Sequence, residues 1–365
     1  MAREIEYWSN LVQPADKGVA GIVDWACRLE ADGWHGGSLV DSQCFRSDAF
    51  VTLAGCAAAT TRLQLGTGTS NPVTRHPSAL AAATAGLQML SKGRMMLGIG
   101  RGDSALAHVG ASPISVSLFE KSLATLQAYL QGKSVPLETA ADFLPEKIRG
   151  FDKLALNHAP EGSRLTYLPN EFAKPAIEAA CTGPKVIAAA ARHADAISFS
   201  LGADRERLKW GIEVAREALV AAGRDPSQVK FAAFLPLFPH PNIDVSRKLA
   251  EGRVSVHARF SIMNKQIVTP ANEVQRETFK RVAETYDMAK HGSAGSDQAQ
   301  VLSPEFIDQF ALTGDPESCI ERINAILELG FDRLHLWAAA GESEMGTESY
   351  TMAAEKVLPK LSHTI

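Results

Sequence analysis

Short apolar runs alternate along this chain with longer stretches of helical period, and the order strand then helix recurs almost from end to end. Glu4 to Trp8 reads as a first strand and Gly18 to Asp32 as its helix. Gly36 to Val40 with Ser47 to Thr60 make a second unit, and Leu63 to Thr67 with Pro77 to Ser91 a third. Arg94 to Gly100 with Ser117 to Gln131 make a fourth. After a break, Ala176 to Ala180 with Pro184 to His193, and Ala196 to Ser200 with Asp204 to Ala222, continue the series. Val229 to Leu235 is a seventh strand, Arg333 to Trp337 an eighth, and Ser349 to Leu361 a closing helix. Crossover helices between successive strands demand parallel pairing. Eight such units predict an α/β fold, a closed (β/α)8 TIM barrel, and an open doubly wound sheet fits the count less well.

Two segments interrupt the alternation and predict insertions after strands four and seven. Residues 133–175 hold five prolines and little periodicity, too long a stretch for an ordinary connection. Residues 238–304 carry two helical patterns and the flexible tract Gly292-Ser293-Ala294-Gly295-Ser296. Both are expected to act as covers within a single domain spanning 1–365. Further on, Thr313-Gly314-Asp315-Pro316-Glu317 is a helix start, with Asp as N-cap and Pro in the first turn.

Composition narrows the class. Hydrophobic residues make up 45% and charged residues 21%, with a net charge of −4, which gives no positive field for nucleic acid or an anionic membrane. The most apolar stretch, Leu80 to Leu90, is alanine-rich and broken by Thr and Gln; it reads as a buried helix rather than a bilayer span. The start lacks the basic and apolar pattern of a signal peptide. Five scattered cysteines without a CxxC pair argue against a disulfide framework or zinc site. A cytoplasmic enzyme with reduced cysteines is expected. No metal site is expected either, because carboxylates and histidines do not cluster at ligand spacing.

In a barrel of this kind the working residues gather at the C-terminal ends of the strands, and three such segments carry candidate chemistry. In the first, Leu65 to Pro77, the run Gly66-Thr67-Gly68-Thr69-Ser70-Asn71-Pro72 permits a tightly apposed backbone on which a flat ring could rest. A simple turn accounts for it about as well. In the second, Leu97-Gly98-Ile99-Gly100-Arg101-Gly102-Asp103-Ser104, alternate glycines admit a ligand or a neighbouring backbone. The GxGxG spacing is not the dinucleotide fingerprint, and an Arg101–Asp103 surface ion pair is the bland alternative. In the third, Cys181-Thr182-Gly183-Pro184-Lys185 places a hydroxyl, a cation and a helix N-terminus together, a combination suited to a phosphate. Ser200 could complete that pocket, although an ordinary helix cap explains the same residues.

Taken in order, "LGTGTSNPVTRHP", "GRMMLGIGRGDSA", "ACTGPKVIAAAARHADAI" and "FALTGDPESCIERI…LGFDRLHL" resemble the luciferase-like monooxygenase superfamily over almost the whole chain. That superfamily includes coenzyme F420-dependent reductases and dehydrogenases as well as reduced-FMN monooxygenases. The resemblance implies a flavin or deazaflavin oxidoreductase, with coenzyme F420 the leading cofactor and FMN the alternative, and a homodimer. It puts a non-prolyl cis peptide at Gly68–Thr69 as a support for the cofactor ring, in a segment continued by Ser70 and Asn71. Gly100 and Gly102 lie beside it. Thr182, Gly183, Pro184, Lys185 and Ser200 match the segments that hold the cofactor phosphate. Asp103 falls where several deazaflavin enzymes carry Glu, and Asp41 matches a polar position beside the reactive face.

One departure matters. Many relatives place a His after the residue matching Asp41, and here that position is Ser42. Proton transfer then falls to another group, with Asp41, His35, Asp103 and His108 as candidates, or the chemistry needs no strong acid. His76 reads as a cap or packing residue, and Trp8 and Trp34 as barrel core. Three functions stay open: hydride transfer to a small organic substrate, oxygen-dependent monooxygenation with FMN, and non-catalytic flavin binding. A phosphate-ester barrel enzyme that uses Thr182–Lys185 for substrate is a further alternative.

Overall fold

The computed structural model describes residues 4–12, 18–338 and 343–363. Nine strands form, in chain order β1 (Glu6–Asn10), β2 (Gly36–Leu39), β3 (Gln64–Thr67), β4 (Met95–Ile99), β5 (Ala176–Cys181), β6 (Ala196–Phe199), β7 (Lys230–Pro239), β8 (Leu312–Gly314) and β9 (Arg333–Trp337). Every pairing is parallel, and β1 through β7 pair in succession round to β9, which pairs with both β7 and β1. The result is a closed eight-stranded TIM barrel wrapped by helices, as the alternating pattern predicts. No helix among the described residues is long and apolar enough to cross a membrane.

The ninth strand is the departure from the expected eight. Leu312–Gly314 pairs only with the far end of β7, Leu237 to Pro239, outside the barrel. Asp315 then caps the following helix by accepting from the Ser318 N–H at 2.8 Å, with Pro316 in its first turn. The closing helix also differs from expectation. It starts earlier, at Glu344, and beyond Met352 gives way to a π turn and a 3-10 turn. Pro359 lies in that last turn and has no N–H with which to extend an α-helix.

Packing inside the barrel is set by a few large groups. A Cβ on Gly36 would overlap the Trp8 indole, and one on Gly66 would come within 3.0 Å of it. Glycine there makes room for a ring that no solvent reaches. Below it lies a buried ionic cluster. Arg333 bridges Glu6 and Glu178 at 2.6 Å each, Lys230 reaches Glu6 at 2.6 Å, and His335 reaches Glu178 at 2.8 Å. Burial alone would raise both carboxyls, but Arg333 and Lys230 around Glu6, and His335 and Arg333 around Glu178, outweigh it and hold each at about 2. Phe234 stacks on His335 with centroids 4.4 Å apart and closes this layer from above.

The two interruptions behave differently. Between β7 and β8 the chain builds helices Ile243–Phe260 and Glu273–Thr285 over a core of their own, centred on Phe238, Val254, Phe279, Phe306 and Phe310. Arg207 ties this unit to the barrel. Its buried guanidinium donates to Pro270 O at 2.6 Å, Ser261 Oγ at 2.7 Å and Leu201 O at 3.2 Å, and lies over Phe279 and Phe310. Residues 133–175 instead run along the flank of helices Pro77–Leu90 and Val116–Leu130. They are held there by Tyr129 Oη to Ser163 Oγ at 2.8 Å, Gln88 Nε2 to Ala173 O at 2.8 Å, and His76 Nε2 against Ala140 O at 2.9 Å.

Candidate functional site

A cavity of about 600 Å³ opens at the C-terminal end of the barrel, within the usual range for cofactor sites. Its floor is Phe234 and its wall is built from the strand exits. At the end of β3 the Gly68–Thr69 peptide is cis. Neighbouring strands hold the backbone there: Gly68 N–H donates to Leu39 O at 2.8 Å, Ser70 N–H to Gly98 O at 2.9 Å, and Gly100 N–H to Ser70 O at 2.9 Å. The alternate glycines of β4 serve this apposition. A Cβ on Gly98 would fall on the Thr67 carbonyl oxygen, and one on Gly100 would press to 3.0 Å from Thr69 Oγ1. Gly102, at φ +85°, occupies backbone space that suits glycine, and a Cβ there would crowd Leu106.

After β5 the helix Pro184–His193 begins at Gly183, with no side chain capping its first turn. Thr182 and Lys185 line the cavity beside this open N-terminus, together with Ser200 from the end of β6. A Cβ on Gly183 would come within 3.1 Å of Val268, so glycine lets the 266–268 segment close over the cradle. The positive end of the helix, a hydroxyl and a lysine form a donor set that fits a phosphate.

The carboxylates at the mouth are both engaged. Asp41 is buried, accepts from Ser70 Oγ at 2.6 Å and meets Arg75 Nε at 3.4 Å. Arg75 also pairs with Asp48. Asp41 is thereby placed to orient Ser70 and the β3 exit. Ser42 lies 3.3 Å from Ser104, hydroxyl to hydroxyl. Asp103 lines the cavity, but its carboxylate is taken by Arg259 from the insertion rather than by Arg101. Arg101 instead donates to Ile114 O at 2.6 Å.

Two of the histidines singled out in the sequence stand elsewhere. His35 immediately precedes β2, so it lies at the N-terminal end of the barrel, opposite the mouth. Its Nδ1 accepts from the Tyr7 N–H at 3.1 Å, and its ring packs near Tyr7 and His363. Burial, then the charge of His363, lowers its pKa. His108 is close to the mouth but behind Phe45, with ring centroids 4.1 Å apart, and does not line the cavity. His76 caps helix Pro77–Leu90, and Trp8 and Trp34 are core. Among the described residues, none of 133–175 lines the cavity, and residues of 238–304 roof it.

That roof supplies residues that no motif in the sequence marks. Arg253, Val256, His257 and Phe260 face the cavity from one side of helix Ile243–Phe260, at helical spacing. Met263, Gln266, Val268 and His291 follow, and Trp337 closes the ring from β9. Tyr286 Oη and His291 Nδ1 are 2.8 Å apart, and Arg259 lies over the Tyr286 ring at 4.7 Å. Burial pushes His257 and His291 down to about 4, so both are neutral near pH 7.

A second, more open hollow of about 690 Å³ lies among Asp204, Asp308, Thr313 and Arg322. Its two aspartates are already satisfied. Asp308 accepts from Arg247 at 2.6 Å and from Thr313 at 2.7 Å, and Asp204 caps a helix. The barrel mouth, with its open helix N-terminus and the backbone that lines it, is the stronger candidate.

Comparison with known proteins agrees with this geometry. A 5,10-methylenetetrahydromethanopterin reductase of Methanolobus tindarius is 25% identical over 332 residues, 88% of this chain and 90% of that protein. The coenzyme F420-dependent tetrahydromethanopterin reductase of Methanopyrus kandleri superposes with a TM-score of 0.72 at 17% identity, covering 98% of this chain and all of the other. The oxygenating constituent of 3,6-diketocamphane monooxygenase from Pseudomonas putida, in complex with FMN, superposes with a TM-score of 0.64 at 18% identity, covering 99% of each chain. The family model described as luciferase-like monooxygenase matches residues 8–333. The chain belongs to the luciferase-like monooxygenase family.

Proposed function

We propose that this protein is an oxidoreductase that binds a flavin or deazaflavin at the barrel mouth and carries out two-electron chemistry on a small organic substrate. The observation that carries the reading is the presence, on one cavity, of a backbone platform at Gly68–Asn71 that lines it and an uncapped helix N-terminus at Thr182–Lys185. A flat ring and a phosphate need those two features at once. When bound, the cofactor supplies the redox chemistry, and the protein supplies binding, orientation and dielectric. Thr182, Gly183, Lys185 and Ser200 would hold the phosphate, while Gly68 to Ser70 would support the ring.

Coenzyme F420 leads as the cofactor because a relative of full-length overlap is described as F420-dependent, and hydride transfer suits the residues present. Asp41 and Asp103 are both paired with arginines, and Ser42 stands where a histidine acid would be. The chain therefore works chiefly by positioning its substrate. Neutral His257 and His291 face the cavity and can accept a proton from a substrate hydroxyl. Reduced FMN with oxygen is the second reading, favoured by the apolar lining of Phe45, Phe234, Val256, Phe260 and Met263, which would keep water out. The same proposal includes residues 238–304 as the cover and a homodimeric, soluble protein.

Fluorescence and absorbance titration with FMN and with F420, each oxidised and reduced, tests the reading. F420 is expected to bind more tightly, and Lys185→Ala to weaken it about fivefold, since an exposed ion pair contributes up to about 1 kcal/mol. A preference for reduced FMN would move the function to oxygen chemistry. Binding of a reduced cofactor that neither an electrophile nor oxygen turns over would leave a non-catalytic flavin carrier. Binding of neither cofactor overturns the proposal.

A further inference from the structure

The arginines enclosed in this protein are matched by partners, with one exception. Arg333 has two carboxylates, Arg259 has Asp103, Arg75 has Asp41 and Asp48, and Arg207 has three oxygen acceptors. Arg253 has none. Its guanidinium lies over the Trp337 ring at 4.9 Å and faces the cavity, with no hydrogen bond or ion pair to any described residue. The charged group that acts on it most is another cation, Arg46, while the Trp337 ring and the Tyr286 hydroxyl are favourable neighbours. Burial and then Arg46 lower its pKa to about 10, which still leaves it charged at neutral pH. An unpaired cation in such a place is costly unless something arrives to pair with it.

Two further groups beside it also lack partners. Trp337 Nε1 and His257 Nδ1 are buried without a hydrogen-bond partner among the described residues, and both side chains line the cavity. An indole N–H can only donate. A fork of guanidinium donors next to an indole donor asks for an acceptor that carries negative charge, and planar carboxylate geometry matches the fork.

We infer that Arg253, with Trp337, is a recognition site for the carboxylate of the substrate, which is then a small organic acid with an apolar body. The position separates this anion from the cofactor phosphate. Round the barrel, the Thr182–Lys185 cradle follows β5 and the backbone platform follows β3, whereas Trp337 ends β9 and Arg46 follows β2. On the arc that runs through β4, β2 and β1, β3 stands two places from β5 and three from β9, so a ring resting on the β3 exit would lie between the two cationic ends. The apolar body would lie against Phe45, Phe234 and Phe260, which line the space between. Which bound molecule counts as substrate rests on the cofactor reading above; the anion site itself does not.

Isothermal titration of the full-length protein with 4-phenylbutyrate and its neutral amide, with and without saturating FMN or F420, tests the inference. The acid is expected to bind about tenfold more tightly than the amide, a preference that falls to about twofold or less in Arg253→Met and partly survives in Arg253→Lys. Cofactor affinity is expected to stay within about twofold in both variants. Thermal unfolding of Arg253→Met should show no loss of stability, because the charge removed is half-buried and has no hydrogen-bonded or ion-pair partner among the described residues to lose. A drop in Tm with no acid preference in the wild type would make Arg253 a packing residue and overturn the inference. So would an acid preference that survives Arg253→Met. Mutual exclusion of acid and cofactor, or loss of cofactor affinity in Arg253→Met, would assign the site to the cofactor's own anionic part and overturn it as well. An Arg253-dependent preference in a protein that binds neither cofactor would uphold the site and overturn the cofactor reading alone.

Discussion

Gly98 shows how much of the mouth hangs on single atoms. Its carbonyl accepts from Thr67 Oγ1 at 2.6 Å and from the Ser70 N–H at 2.9 Å, so it holds the end of β3 from both sides of the Gly68–Thr69 peptide. Its missing side chain leaves room for the Thr67 carbonyl oxygen, onto which a Cβ would fall. Backbone cannot rotate away as a side chain tip can, so β3 or β4 must shift. Gly98→Ala is therefore expected to cost about 1–3 kcal/mol in urea unfolding, the usual range for overpacking, and to weaken FMN or F420 binding. Gly86 supplies the contrast. It sits exposed in helix Pro77–Leu90, where an added Cβ would meet nothing within 4 Å. Gly86→Ala should stabilise by about 0.5–1 kcal/mol, because alanine restricts the unfolded chain and suits the helix. Equal effects at the two positions would mean that the Thr67–Gly98 contact is not what makes glycine necessary at 98.

At the scale of elements, helix Ile243–Phe260 carries the roof, and Gly252 is where the loop that follows helix Glu273–Thr285 docks. A Cβ on Gly252 would come within 2.5 Å of Gly292 O and 2.8 Å of Ala294 N, while Glu251 on the same turn accepts from the Gly295 N–H. The loop so held carries His291 over the cavity. Gly252→Ala is expected to lift it, raising amide exchange across residues 288–298 and costing about 1–3 kcal/mol; unchanged exchange there would show that the loop is held from elsewhere. None of this was legible from the chain. The barrel was, because buried parallel strands are short apolar runs and each is followed by an amphipathic helix. The strand exits were legible for the same reason, since Gly68, Gly100 and Thr182 directly follow such runs. His35 shows what direction adds: it precedes its strand, and only residues that follow a strand reach the mouth. The proline content of 133–175 announced an irregular segment without saying which side of the barrel it would lie on. The arginine–histidine face at 253 and 257 belongs to an amphipathic helix like any other until the barrel beneath it is known. β8 is three residues long, too short for a periodicity to register.

For the whole molecule, two separate sets of buried ionisable groups make stability depend on pH in two stages. His257 and His291, in the roof, have folded pKa values of about 4, set first by burial, against about 6.5 in an unfolded chain. Between those values the unfolded chain binds protons that the folded one refuses, so stability falls as pH drops from about 6.5 towards 4. His35, lowered by burial at the other end of the barrel, adds to the same window. Glu6 and Glu178, in the barrel floor, titrate at about 2 when folded and near 4.3 when unfolded. Their contribution is complete above the unfolded value and is lost as pH falls through the folded one. Urea midpoints should thus be level between about pH 7 and 8, decline from about pH 6.5, and decline more steeply below about 4.3. His257→Gln should flatten the first decline and leave the second. Glu178→Gln should flatten the second and lower stability at every pH, because it leaves Arg333 and His335 without half of their shared counter-charge. The two cores are distinct, so amide exchange in helix Ile243–Phe260 should rise in the first stage while the strands stay protected. Stability that is flat from pH 6.5 to 4.5, with roof and barrel exchanging together below that, would mean that the roof histidines reach solvent in the folded protein and that the cavity they line is wetter than its walls imply.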